Sequence, residues 1–277
     1  MDTERIINSI AAIVPRSNNP TIIGKDGLKH CAICEKRIET EVEFLGIKKI
    51  VPCICECQQK EFAKQQEERK EAERRNHIER LRVSGFPDKD FKNWTFENDD
   101  GSKQQIMNVC KKYVENFKTF KKSGKGLLLY GNVGTGKTYA AACIANALID
   151  NGTAVLMTNF SRIINQLQEK FDGKQKYLDG LNEYDLVILD DLAAERQTEY
   201  MQENIYNVID NSYRANKPLI ITTNLTIDEL ANPSNRANAR IYDRILERCF
   251  PVEVSGASHR RQKINAEYND VKNLLGL

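Results

Sequence analysis

With 277 residues, 40% of them apolar and 29% charged, the chain exceeds one typical domain and has the apolar content for a packed core, so a main domain with a smaller appendage is expected. Its 41 basic and 39 acidic residues leave a net charge of +2, which excludes a dominant electrostatic field and neither demands nor rules out nucleic-acid binding. The longest apolar runs, such as Gly126–Tyr130 and Leu186–Leu189, fall far short of the roughly 20 residues that span a bilayer, and MDTERIINSI does not read as a signal peptide. A cytoplasmic protein with no membrane association is the expectation.

The chain opens with a short amphipathic stretch, Ile6–Val14, and a Pro/Asn/Gly-rich connection, Pro15–Gly27. Five of the eight cysteines then crowd between Cys31 and Cys57, a density that favours metal binding over disulfides in a chain without an export signal. Cys31-Ala-Ile-Cys34 is followed by Cys53-Ile-Cys55-Glu-Cys57, with Phe44-Leu45-Gly46 and Ile47–Val51 reading as a hairpin between them. This is zinc-ribbon-like spacing: two thiolates from a tight turn and two from a second segment close a tetrahedral zinc site of structural type. Cys31 and Cys34 form the first pair. Five cysteines compete for four places, with Cys53 and Cys55 the preferred second pair and Cys57 the substitute. His30 is read as a bystander, and Cys110, Cys143 and Cys249 as small hydrophobes without a function.

From Gln58 to Arg82 nearly every residue is a strong helix former, and apolar positions are sparse (Phe62, Ala63, Ala72, Ile78, Leu81), which predicts an exposed connecting helix. Ser84-Gly85-Phe86-Pro87 ends it. The chain thus divides into residues 1–57, with the zinc-ribbon-like module at about 28–57, a connecting helix over 58–84, and a domain over 85–277. In that domain the strand candidates Leu127–Tyr130, Ala154–Thr158, Leu186–Leu189, Leu219–Thr223 and Val252–Val254 alternate with amphipathic helices. The alternation predicts an α/β fold, a parallel sheet with helices on both faces. Lys111, Lys112, Lys118, Lys121, Lys122 and Lys125 precede the first strand and suit either a DNA backbone or a solvated face.

Gly131-Asn132-Val133-Gly134-Thr135-Gly136-Lys137-Thr138 fills every fixed position of G-x-x-x-x-G-K-[ST], directly after a strand and before the helical run TYAAACIANALID. Such a loop wraps its N–H groups around phosphate at a helix N-terminus, so ATP is the expected ligand, with Lys137 on the β- and γ-phosphates and the Thr138 hydroxyl on Mg2+. The apolar strand Leu186–Leu189 then runs into Asp190 and Asp191, the pattern of a Walker B strand. Asp190 would hold the metal and Asp191 orient the attacking water; aspartate is one methylene shorter than the glutamate common there, so slow turnover is expected. Asn224, closing the next strand, is the γ-phosphate sensor candidate at the edge where ligands of open α/β sheets sit. Arg240 and Arg244 share a helix face; an arginine suits stabilising the charge on a transferring phosphoryl group, and a neighbouring subunit can supply it. Arg260, in Ser258-His259-Arg260-Arg261, suits a contact in cis.

In this order, GNVGTGKT, LVILDDLAAE, IITTNLTIDEL, RIYDRI and SHR resemble the AAA+ ATPase domain of DnaC/DnaI-type helicase loaders, a set shared with the related IstB-like transposition helper ATPases. The resemblance runs from about Phe86 onward and includes the lead-in NWTFEN, Asn93–Asn98. It implies that Asn224 is sensor 1, Arg244 the arginine finger with Arg240 the second candidate, and Arg260 sensor 2. It also implies an ATPase domain without a full lid domain, since Ser255–Leu277 is too short for one. The expected function is ATP-dependent loading of a hexameric replicative helicase onto single-stranded DNA, with nucleotide-dependent self-assembly and an N-terminal module that grips the helicase. The alternatives are a transposition helper that binds duplex DNA and a transposase, and a non-hydrolysing adaptor switched by ATP.

Overall fold

The computed structural model describes residues 19–44, 46–169, 173–192, 198–233 and 235–258, with residues 264, 268, 271, 272, 274 and 275 beyond them. The expected amphipathic stretch Ile6–Val14 lies outside this set. Contacts group the chain into two compact units, Met1–Arg75 and Asn76–Leu277. The connecting helix expected over 58–84 spans Glu56–Gly85 (α1), and the division between the units falls inside it.

In the first unit, β1 (Thr21–Ile23) pairs antiparallel with β2 (Lys29–Cys31), and β3 (Glu39–Phe44) pairs antiparallel with β4 (Ile47–Pro52). The second pair is the hairpin anticipated around Gly46, whose φ of 81° supplies the left-handed turn that a side chain disfavours. β1 departs from the sequence reading, which made Pro15–Gly27 a connection. All three of its residues are exposed, so no apolar alternation marks it. The core here is small: Cys31, Ile38 and Cys55, with Cys34 and Cys57 packed against them.

The second unit is built on a five-stranded parallel sheet. Its strands are β5 (Gly126–Tyr130), β6 (Val155–Asn159), β7 (Leu186–Leu192), β8 (Leu219–Thr223) and β9 (Cys249–Glu253), in the order β6-β7-β8-β5-β9. The interior strands read as continuous apolar runs because both faces are covered. Leu127, Leu129 and Ile188 face a core closed by α2 (Gln104–Glu115), α3 (Phe117–Ser123) and α4 (Lys137–Asp150). Leu128, Val187 and Leu189 face the opposite core. That core is closed by α5 (Phe160–Glu169), α6 (Lys174–Leu181), α7 (Glu199–Arg214), α8 (Ile227–Ala231) and α9 (Arg236–Arg248). Cys110, Cys143 and Cys249 are buried in these layers, and burial pushes each thiol up to about 12, as suits inert hydrophobes.

β9 begins three residues earlier than the expected Val252–Val254 and contains Pro251. Proline reads as a strand breaker, yet β9 pairs with β5 alone and so lies at the sheet edge, where a missing N–H is tolerated. β5 sits between β8 and β9, so the loops leaving the carboxyl ends of β5, β7 and β8 open onto one crevice.

Candidate functional site

The loop between β5 and α4 takes its shape from glycine. Gly131, Gly134 and Gly136 have φ values of 143°, 79° and 92°, a left-handed region that turns successive N–H groups toward one concavity. Lys137 opens α4 and is 5% exposed. Its Nζ donates to the carbonyls of Gly131 and Asn132, both at 2.8 Å, and to Asn224 Oδ1 at 2.7 Å. Burial pulls the Lys137 pKa down, against the opposing pull of Asp191 and Asp190. A buried ammonium partnered only by carbonyl oxygens is a cation waiting for an anion.

Asp190 is 9% exposed, and its Oδ1 accepts from Thr222 Oγ1 at 2.6 Å and Thr138 Oγ1 at 3.0 Å. Burial raises its pKa, and the Thr222 hydrogen bond works against that rise. The following residue leaves the strand geometry: Asp191 has φ 58°, the β7–β8 register slips between Leu189 and Leu192, and the Asp191 N–H donates to Thr222 Oγ1 at 2.9 Å. The two carboxylates therefore diverge. Asp190 turns inward to the Thr138 hydroxyl, while Asp191 is exposed and lines the crevice. The crevice holds a cavity of about 280 Å³ lined by the loop, Lys137, Thr138, Asp191 and Asn224 together with Trp94 and Tyr139.

Lys137, Thr138, Asp190, Asp191 and Asn224 are thus brought together, with Thr222, Trp94 and Tyr139 as partners that sequence reasoning did not name. Thr222 had a signal it shares with Thr223, a hydroxyl at the end of an apolar, fully buried strand. Lys103, also unanticipated, reaches from the start of α2 to the Thr135 carbonyl.

Neither Arg240 nor Arg244 is among the residues lining this cavity. Arg244 pairs with Asp210 of α7 and lies over the rings of Tyr206 and Tyr213, 4.8 and 5.1 Å from their centroids. Arg240 lies 4.6 Å over Tyr206 and donates to its hydroxyl at 3.1 Å. Arg260 is outside the described residues. Of the lysines before β5, Lys121 pairs with Asp185 at 2.6 Å, Lys125 donates to the Glu247 carbonyl at 2.6 Å, and Lys111 lies over Phe96. These contacts divide the set; Lys112, Lys118 and Lys122 are exposed on α2 and α3.

In the first unit the sulfurs of Cys31, Cys34, Cys55 and Cys57 lie within 4.8 Å of one another. Sulfurs of a tetrahedral four-thiolate site with bonds of about 2.3 Å sit about 3.8 Å apart, so the cluster is compatible with zinc. Cys53, the preferred partner of Cys55 from spacing, stands apart, its thiol donating to the Arg37 carbonyl at 3.4 Å. The reason is local: β4 ends at Pro52 and α1 begins at Glu56, so Cys55 and Cys57 flank the helix start and turn to the Cys31–Cys34 turn. The Lys36 N–H holds Cys34 down to about 6, whereas its hydrogen bond to Cys34 pushes Cys57 up to about 12. Thiols that cannot all ionise together are the charge pattern a dication relieves. His30 instead faces the Glu35 carbonyl at 2.9 Å and Asp26 at 3.1 Å.

Among the described residues, no helix is long and apolar enough to cross a membrane. The chain is similar to YqaM of Bacillus subtilis, 29% identical over 184 residues, covering 62% of this chain and 59% of YqaM. It is similar to the replicative helicase loader DnaI of the same organism, 27% identical over 169 residues, covering 57% of this chain and 53% of DnaI. The matched region therefore spans between half and three-fifths of these relatives. The crystal structure of the DnaC helicase loader shares the fold, with a TM-score of 0.54 at 24% identity over 61% of this chain and 100% of that one. The profile of the IstB-like ATP binding proteins matches residues 59–266, well over half of the chain. By that match, and by the loop that carries Lys137 and Thr138, the chain belongs to the IstB-like ATP binding protein family and has its AAA+ P-loop ATPase fold.

Proposed function

We propose that this protein hydrolyses ATP slowly and uses nucleotide binding to load a hexameric replicative helicase onto single-stranded DNA in the cytoplasm. The observation that carries this reading is the convergence of Lys137, Thr138, Asp190 and Asn224 at one crevice, in a chain similar to a protein named a replicative helicase loader. Lys137 gives up the Gly131 and Asn132 carbonyls in favour of the β- and γ-phosphates, and Asn224 senses the γ-phosphate through the same ammonium. Thr138 and Asp190 hold Mg2+, which supplies charge neutralisation on the phosphates. Asp191 orients the water.

Arg244 is the finger offered to a neighbouring subunit, with Arg240 second, and Arg260 acts in cis. Nucleotide then controls self-assembly, because a site completed in trans binds ATP best in the assembled state. Cys31, Cys34, Cys55 and Cys57 hold a structural zinc ion, which compensates for the small core of the first unit and makes it a rigid grip for the helicase.

Light scattering of the protein mixed with its cognate helicase, with and without ATP, tests the reading. A stable complex that is lost when residues 1–83 are removed supports it. Absence of a complex under every nucleotide condition would overturn it and put duplex DNA and a transposase next.

A further inference from the structure

The lining of the nucleotide cavity is chemically mixed. Beside the phosphate-loop residues already described it includes the rings of Trp94 and Tyr139, 5.8 Å apart between centroids and inclined by 44°. Trp94 belongs to an aromatic series that runs through Phe91, at 5.0 Å, to Phe86, at 6.4 Å from Phe91, so its ring is packed against protein as well as lining the cavity. Its backbone is fastened to the helix that begins at the phosphate loop. Asn146, 1% exposed in the alanine-rich α4, donates to the carbonyls of Phe91 at 2.8 Å and Trp94 at 2.9 Å, and the Tyr139 hydroxyl donates to the Thr95 carbonyl at 3.0 Å. The Asn146 amide nitrogen also reaches the Ala142 carbonyl of its own helix at 3.1 Å, so one buried donor group ties α4 to the segment that presents Trp94.

We propose that Trp94, backed by Tyr139, is the base-stacking wall of the nucleotide site and selects purine nucleotides by their π-surface. The proposal rests on the nucleotide site itself and not on helicase loading. Trp94, Tyr139 and Val133 are the aromatic and aliphatic side chains of the lining, and the Tyr139 hydroxyl is already engaged. Stacking accepts any base with an extended face, so adenine and guanine are bound similarly and the smaller pyrimidines less well.

Trp94 is the chain's one tryptophan, so its emission reports the site directly. The test titrates the full-length protein with ATP, GTP, CTP, UTP and inorganic tripolyphosphate, following Trp94 fluorescence and, independently, heat of binding. ATP and GTP should change the emission and bind within about tenfold of each other, with CTP and UTP about fivefold or more weaker. Trp94→Ala should lose about 5- to 100-fold in affinity for ATP and ADP alike, while Trp94→Phe stays within about threefold of the parent. Tripolyphosphate, which has no base, should bind the parent and Trp94→Ala equally. The proposal is overturned if ATP binds by calorimetry while the emission is silent and Trp94→Ala binds as tightly as the parent. It is also overturned if tripolyphosphate binding falls in parallel, which would make Trp94 a support of the loop, or if ATP exceeds GTP by more than about a hundredfold. Calorimetry showing no nucleotide binding at all would remove the site and the proposal together.

Discussion

Replacing Thr222 by valine removes one hydroxyl and two interactions. Thr222 is 0% exposed, and its Oγ1 both donates to Asp190 and accepts from the Asp191 N–H. Losing a hydrogen bond to a charged group costs about 1.5–3 kcal/mol, and orphaning a buried N–H costs about 1–3 kcal/mol. The two losses share one atom and do not simply add, so about 2–4 kcal/mol is expected. Urea unfolding followed by Trp94 fluorescence, a probe in the second unit, measures it. Thr222→Ser keeps the hydroxyl and should lose only about 1 kcal/mol, the worth of a buried methyl. The substitution also reaches the site. Burial already pushes Asp190 up, and the Thr222 hydrogen bond is what lowers it, so in Thr222→Val the carboxyl takes up its proton at higher pH. Protonated Asp190 does not hold Mg2+, so Mg2+-dependent ATP affinity should weaken on acidification, and earlier in the variant than in the parent. A Thr222→Val protein within about 0.5 kcal/mol of the parent, with an unshifted pH profile, would refute the role given to this hydroxyl.

Asp191 occupies a left-handed backbone position at φ 58°, which asparagine also accepts. Asp191→Asn should therefore keep ATP affinity within a few fold and lower turnover by about tenfold or more, in a phosphate-release assay; unchanged turnover would remove Asp191 from the reaction. Gly126→Ala would place a Cβ 1.6 Å from the Leu219 carbonyl oxygen on the neighbouring strand, so the melting midpoint should fall by about 10 °C or more, measured by circular dichroism. Elemental analysis of purified protein should find one zinc per chain, retained in Cys53→Ser and lost in Cys31→Ser or Cys57→Ser. Retention in Cys57→Ser with loss in Cys53→Ser would restore the pairing suggested by spacing.

The phosphate loop was legible because all its determinants are local: glycines where φ must be positive, a lysine and a threonine at fixed spacing, and strand and helix on either side. The sheet was legible for a related reason, since strands buried on both faces appear as apolar runs. What the residues alone did not disclose depends on distant partners. Spacing could not choose between Cys53 and Cys57, because the choice turns on where α1 starts and which way its first turn faces. The surroundings of Arg244 depend on Asp210, 34 positions earlier in sequence on α7, which meets α9 only in the folded unit. The part played by Thr222 depends on the register of β8 against a bulged β7. The closeness of Trp94 to the phosphate loop depends on Asn146, a polar residue hidden in an alanine-rich helix.

The measurement closest to the central claim is strand displacement by the cognate hexameric helicase on an oligonucleotide annealed to circular single-stranded DNA, where a closed ring has no end to thread. The account predicts that displacement requires this protein together with ATP, and that Lys137→Ala abolishes it. Displacement that proceeds equally well without the protein, or with Lys137→Ala in its place, would contradict the loading function.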